Sequence, residues 1–172
     1  FDQIAGDCSL LPKPIKLTGL MLSCAERAEV IIDFSQYHEG DEVTLYTDQV
    51  PLLKFRIHNF AKDTTKIPDH LINLKKPTVE TSLPIRHVVM QGMDESVAID
   101  DKKFAMERID AEQIVGEYQY WDVTNSNEKP GMVHPFHIHG TRFLVLIRNG
   151  KDPYPNENGF KDTIGVNPGE TV

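Results

Sequence analysis

The chain has 172 residues, about one ordinary domain's length, with a net charge of −8 at neutral pH and a pI near 5.3. That balance argues against nucleic acid as a partner, because nucleic-acid binders carry a basic face. No apolar stretch approaches the roughly 18 residues of a membrane-spanning helix. Hydrophobic residues make up 40% of the chain, enough for a packed core and too many for disorder. Its two cysteines, Cys8 and Cys24, form neither a disulfide framework nor a close-spaced zinc motif. They read as packing residues unless a bridge joins them. The chain begins at Phe1 with no signal-peptide pattern, which leaves the compartment open.

In chain order, residues 1–14 read as a strand-like opening, a Gly6-Asp7 turn and a corner at Leu10-Leu11-Pro12-Lys13-Pro14. Cys24-Ala25-Glu26-Arg27 leads into 28–34, a β-branched run of buried-strand length. Gly40-Asp41 marks a turn before the alternating 43–46. From Leu53 the alternation puts Phe55 and Ile57 on one side and Lys54, Arg56 and His58 on the other, leaving His58 solvated. Short strands with evenly spaced turns describe an antiparallel sandwich. Periodicity is lost over 61–83, where Pro68, Pro77 and scattered lysines read as a surface linker between domains. His70 is expected to be exposed there, beside a short helical turn over 69–74.

Strands resume at Ile85. Residues 86–90 form one, 96–99 pair with the region of Phe104 across an Asp100-Asp101 turn, and 117–124 form an aromatic, alternating third. A polar loop over 125–131 follows. Further on, 141–148 reads as a strongly apolar strand ending at Asn149-Gly150, 156–159 as loop, and 164–166 as a last short strand. Met90, Met93 and Met106 are scattered in the manner of core gap-fillers.

Between these elements lies His134-Pro135-Phe136-His137-Ile138-His139-Gly140, which holds three of the seven histidines. On an extended chain, side chains alternate, so His137 and His139 share a face while Ile138 turns into packing. Two neutral imidazoles on one face can serve one metal or two adjacent ones. Imidazole suits copper, zinc, iron and nickel, so the triplet alone does not choose the metal. Pro135 fixes its own φ and is expected to make a corner that sets His134 apart, and Gly140 lets the chain turn. A lone histidine is more often structural; three at this spacing read as metal ligands.

The run HPFHIHGTRFLVLIRNGKDP, followed by GFKDTIGVNPGETV, resembles the third cupredoxin domain of a multicopper oxidase of the laccase, bilirubin oxidase and copper-efflux oxidase group. Phe160-Lys161-Asp162-Thr163 matches that family's W/F-K-D-T element. FDQIAGDCSLLPKPIKLTGLMLSCAERAEVIIDF is similar to the later part of its second domain, where an A/G-E-R turn precedes a strand. The resemblance implies an all-β fold of two incomplete cupredoxin-like Greek-key sandwiches: 1–60 from the second domain, 61–83 as linker, and 84–172 from the third domain without its C-terminal strands. It implies copper as the cofactor, with His134 a ligand of the type 1 copper, His137 of the type 2 and His139 of the type 3. The family's H-C-H motif and first-domain histidines find no match here. On the resemblance, the chain is a fragment whose parent takes single electrons from a reducing substrate and reduces dioxygen to water.

The chain alone is then expected to be inactive, to hold copper partially or not at all, and to partner the missing domain and strands. Self-association is also expected, through the apolar 141–148 run left near an uncovered sheet edge. The Met-rich insertion of the copper-efflux branch has no counterpart, and the reducing substrate stays open. Two rival readings are a copper-free scaffold of the multicopper-oxidase-like cell-division type and a metal-dependent hydrolase. The second is disfavoured by Thr141, which stands where such motifs carry a carboxylate, and by the need for three protein ligands.

Overall fold

The structure is a computed structural model that describes residues 1–59, 61–78, 82–126 and 132–172. Residues 127–131, most of the expected polar loop, and 79–81, at the end of the expected linker, lie outside the described residues, as does Phe60. The described residues form ten short strands and two 3-10 turns, with no α-helix, and hence no helix able to cross a membrane.

Strands β1 (Asp2–Ala5), β2 (Leu10–Lys16) and β3 (Glu29–Ile31) make an antiparallel sheet in the order β2-β1-β3. The Leu10–Pro14 corner is therefore corrected to a strand. Pro12 and Pro14 are tolerated because β2 is an edge, where missing N–H groups break no second ladder. The 28–34 run is corrected too: only Glu29–Ile31 pairs, and Val30 and Ile31 stay about 40% exposed because no described layer covers them. Strands β4 (Glu42–Thr47) and β5 (Val50–Arg56) form a hairpin. Asp48, in the left-handed region at φ 50°, makes its two-residue turn. Ile57 is buried while Lys54, Arg56 and His58 are exposed, as the alternation predicts.

Residues 61–78 contain neither helix nor strand, so the expected turn over 69–74 does not form. Pro68 and Pro77 bracket the stretch, and Leu71, Ile72 and Leu74 are half-buried without a helix. The segment is fastened to the edge of β2 by Leu71 N–H donating to Pro12 O at 2.9 Å. His70 is exposed, as expected.

The second half builds the core. Strands β6 (Ile85–Gln91), β7 (Ala98–Ile99) and β8 (Tyr120–Asn125) are ordered β7-β6-β8, with β6 and β8 parallel. Asp100 and Asp101, at φ 51° and 61°, make the expected turn, but Ile99 bridges Lys102, and Phe104 is left 84% exposed. Met106 is likewise 80% exposed and fills no core gap. Strand β8 starts at Tyr120 rather than at Glu117, which lies in a preceding turn. Strands β9 (His134–His137) and β10 (Thr163–Val166) pair antiparallel, Phe136 opposite Ile164 and His137 opposite Thr163. Val88, Met90, Val123, Phe136, Val145, Ile164 and Val166 form the core cluster.

The 141–148 run is not a regular strand. Phe143 exchanges backbone hydrogen bonds with Lys161 at 2.7 and 2.9 Å, and Arg148 pairs with Lys151 in a turn. Apolar composition buries Val145 in the core, but a ladder needs a partner strand, and among the described residues only single bridges occur. Of its five consecutive apolar residues only Ile147 is exposed. The exposed apolar side chains instead cluster on the β4–β5 hairpin (Leu45, Tyr46, Val50, Leu52, Leu53) and over 97–118.

Candidate metal centre

Pairing parity on β9 divides the three histidines. His134 and Phe136 lie two residues apart and share the face on which Phe136 enters the core. His137, three residues from His134, lies on the other face. Pro135 sits inside the strand opposite Gly165, so it makes no corner; the odd spacing is what sets His134 apart. Here too the proline is accommodated because the only described partner of β9 is β10.

His137 and His139 come together, with ring centroids 6.0 Å apart in an edge-on arrangement and both exposed, but the extended chain expected there ends at His137 and His139 lies in the turn that follows. Between them Ile138 packs against the core, its N–H donating to Asp162 O at 3.0 Å. Gly140, at φ 79°, turns the chain away immediately afterwards. His134 is half-buried and lines a cavity of about 40 Å³ with Gly92, Met93, Ser96 and Met132 among its walls. A Cβ on Gly92, itself at φ 73°, would overlap the Ser96 carbonyl, so this wall needs glycine.

His137 carries a further constraint. Its Nδ1 lies 2.9 Å from Thr163 Oγ1, and the Thr163 hydroxyl donates to Asp162 Oδ1 at 2.8 Å. Asp162 also takes both guanidinium nitrogens of Arg27 at 2.7 Å and the Cys8 thiol at 3.4 Å. The Arg27 fork is the main reason its carboxyl is held well below the usual carboxylate range. An ionised carboxylate only accepts, so the single Thr163 proton is committed to it. Thr163 Oγ1 is then placed to accept from Nδ1 of His137, the tautomer that leaves the Nε2 lone pair free.

The cysteines are both free. Cys8 packs partway into this cluster, where burial first and the Asp162 bond second push its thiol pKa up. Cys24 is exposed, so it is no packing residue. The part played by Arg27, Asp162 and Thr163 was not evident from the histidine motif, although the A-E-R and K-D-T elements that carry them stood out in the sequence. Among the described residues no three His, Cys, Asp or Glu side chains converge to hold a metal. The chain thus offers two adjacent imidazoles, one with its Nδ1 held against Thr163, and a third on the opposite face. These imidazole donors fit copper, as they fit zinc, iron and nickel.

A family model described as multicopper oxidase matches residues 75–172. The multicopper oxidase mco of Staphylococcus aureus is 36% identical over 173 residues, which span 99% of this chain and 35% of that protein. A crystal structure of a multi-copper oxidase from Pediococcus acidilactici aligns at a TM-score of 0.93 and 46% identity, covering 99% of this chain and 36% of that one. The cell division protein FtsP of Salmonella typhimurium is 28% identical over 180 residues, 95% of this chain and 37% of FtsP. The chain spans about a third of the length of the relatives it matches.

Proposed function

The chain belongs to the multicopper oxidase family, and from that premise we propose that it supplies copper ligands to a larger, cupredoxin-like oxidase. In this reading residues 1–60 and 84–172 are parts of two successive domains joined by 61–83. His137 and His139 serve the cluster at which dioxygen is reduced to water. His134 serves the separate copper that receives single electrons from a reducing substrate. The observation that carries the reading is the parity of β9, which turns His134 to one face and His137 to the other, beside His139. Two sites with different tasks need that separation, and one short strand supplies it.

Copper, when bound, supplies one-electron redox chemistry. The chain's own residues orient imidazoles: Thr163 leaves Nε2 of His137 free, and the Gly92 turn shapes the cavity beside His134. A blue-copper centre also needs a thiolate, and Cys8, the half-buried cysteine, is engaged with Asp162 on the His137 side. In this reading the chain alone is inactive, and its remaining ligands come from the rest of a longer protein. Copper titration of the purified chain, with His137→Gln and His139→Gln variants, tests the reading. The expected result is copper uptake weakened at least about tenfold by each substitution, without a blue band and without oxidation of a phenolic dye. Equal uptake by the variants would refute the ligand roles, and dye oxidation by the pure chain would refute the shared-site reading.

The similarity to FtsP favours one second reading, a scaffold that binds no copper. The same titration separates the two, because a scaffold chain would take up none.

The other partner is this chain itself. Leu52 is 62% exposed and Val115 fully so, within apolar groups that water covers poorly. Sedimentation at micromolar concentration is expected to give species heavier than the 19.5 kDa chain. A single particle of that mass would overturn the expectation.

A further inference from the structure

The A-E-R turn has no task in the copper reading, yet it is among the most heavily tied segments of the molecule. Ala25 sits at φ 70°, a conformation that a side chain with a Cβ adopts only when its surroundings enforce it. The enforcement is visible. Ser23 N–H donates to Glu26 Oε2 at 2.7 Å, Glu26 N–H to Ser23 O at 3.0 Å, and Arg27 Nη1 to Ala25 O at 2.7 Å.

The turn then locks, residue for residue, onto the K-D-T element at the start of β10. Glu26 pairs with the buried Lys161 at 3.1 Å, and Arg27 grips both oxygens of Asp162. Asp7, whose side chain is fully buried, ties the two together. It accepts from Arg27 N–H at 2.7 Å and from Thr163 N–H at 3.3 Å, and meets Lys161 at 3.2 Å. Ser23 lies so close to Gly165 that a Cβ there would overlap its hydroxyl. Asp162 passes the arrangement on through Thr163 to Nδ1 of His137.

We propose that the Ala25-Glu26-Arg27 turn is a positioning element for His137, with Arg27 acting through Asp162 and Thr163 to hold the imidazole proton on Nδ1 and the Nε2 lone pair outward. The inference rests on the reading of His137 as a copper ligand. A ring whose second nitrogen is held by an ordered partner is fixed in tautomer and orientation before the metal arrives, and loss of such partners typically weakens metal affinity by about 10- to 100-fold. The planar fork of Arg27 matters because it engages both carboxylate oxygens at once; a lysine offers a point charge and no such alignment.

The experiment uses the 172-residue chain and two readouts. Nitrogen-15 spectra of the metal-free protein report which ring nitrogen of His137 carries the proton, and copper titration reports affinity. The unaltered chain is expected to show a protonated Nδ1 and a bare Nε2. Thr163→Val, which keeps the shape and removes the acceptor, is expected to mix the two tautomers, and Thr163→Ser to restore the single form. Arg27→Met is expected to mix the tautomers and weaken copper binding about tenfold, with Arg27→Lys in between. Arg56→Met, which removes an exposed partner of Glu42 on the β4–β5 hairpin, is the charge control and is expected to change neither. A proton on Nε2 in the unaltered chain overturns the proposal, as does Arg27→Met with tautomer and affinity both unchanged. Should Arg27→Met fail to fold, the Thr163→Val and Thr163→Ser pair decides alone, equal spectra refuting the relay. Failure of the unaltered chain to bind copper overturns the ligand reading instead, and the metal-free spectra keep that outcome separate.

Discussion

Replacing Arg148 with methionine is expected to lower the unfolding free energy by about 3–5 kcal/mol, the usual cost of removing one partner from a buried ion pair. Arg148 ends the apolar 141–148 run with its side chain only 6% exposed. Its Nε and Nη2 bind Glu157 at 2.8 and 2.6 Å, its Nη1 binds Glu170 at 2.7 Å, and Nη2 also reaches Gly165 O at 3.0 Å. The guanidinium lies 5.0 Å from the Tyr154 ring centroid. Burial alone lowers the pKa of such a group; the two carboxylates outweigh it and hold Arg148 charged. Methionine fills similar volume but leaves both carboxylates buried without their cation. Urea unfolding at neutral pH measures the effect as a shift in midpoint at constant slope. A loss below about 1 kcal/mol, the range of exposed pairs, would mean that water reaches the triad.

Ile164→Ala should cost about 2–5 kcal/mol by the same measurement, and Ile164→Val about 0.5–1.5 kcal/mol. Ile164 is 1% exposed and stands opposite Phe136, in the layer that joins β9 and β10 to Val88, Met90 and Val123. Truncation to alanine removes the lost methylenes' transfer energy and leaves a hole that a close-packed interior fills only in part. The position also backs the site, because Thr163 immediately before it holds His137. An alanine variant no weaker than the valine one would show that this layer collapses without loss.

Much of the site was legible because it depends on parity. A period of two along β9 sets His134 and His137 on opposite faces, whereas His139 lies past the strand in the turn at Gly140 and reaches His137 from there. The same rule placed Ile57 inward and Lys54 outward, and the Asp100-Asp101 turn followed from local chemistry, since aspartate tolerates the left-handed region better than most residues. Where local reasoning went astray, the missing fact was a neighbour. Pro12 and Pro14 looked like a corner because nothing in the sequence says that β2 is an edge. Residues 28–34 and 141–148 are equally apolar, yet Val30 is exposed and Val145 buried, because only the second lies under an opposing layer.

The amino-acid sequence by itself determined the all-β character, the family and the clustering of three histidines, all of which rest on composition, spacing and motif. Tertiary structure alone decided that β6 and β8 run parallel, that His134 shares the Phe136 face, and that Arg27 grips Asp162 at a sequence separation of 135. Charge carries no address: any of the chain's acidic residues could attract Arg27, and the choice is made by the folds that bring one carboxylate within 2.7 Å with its oxygens aligned to the guanidinium.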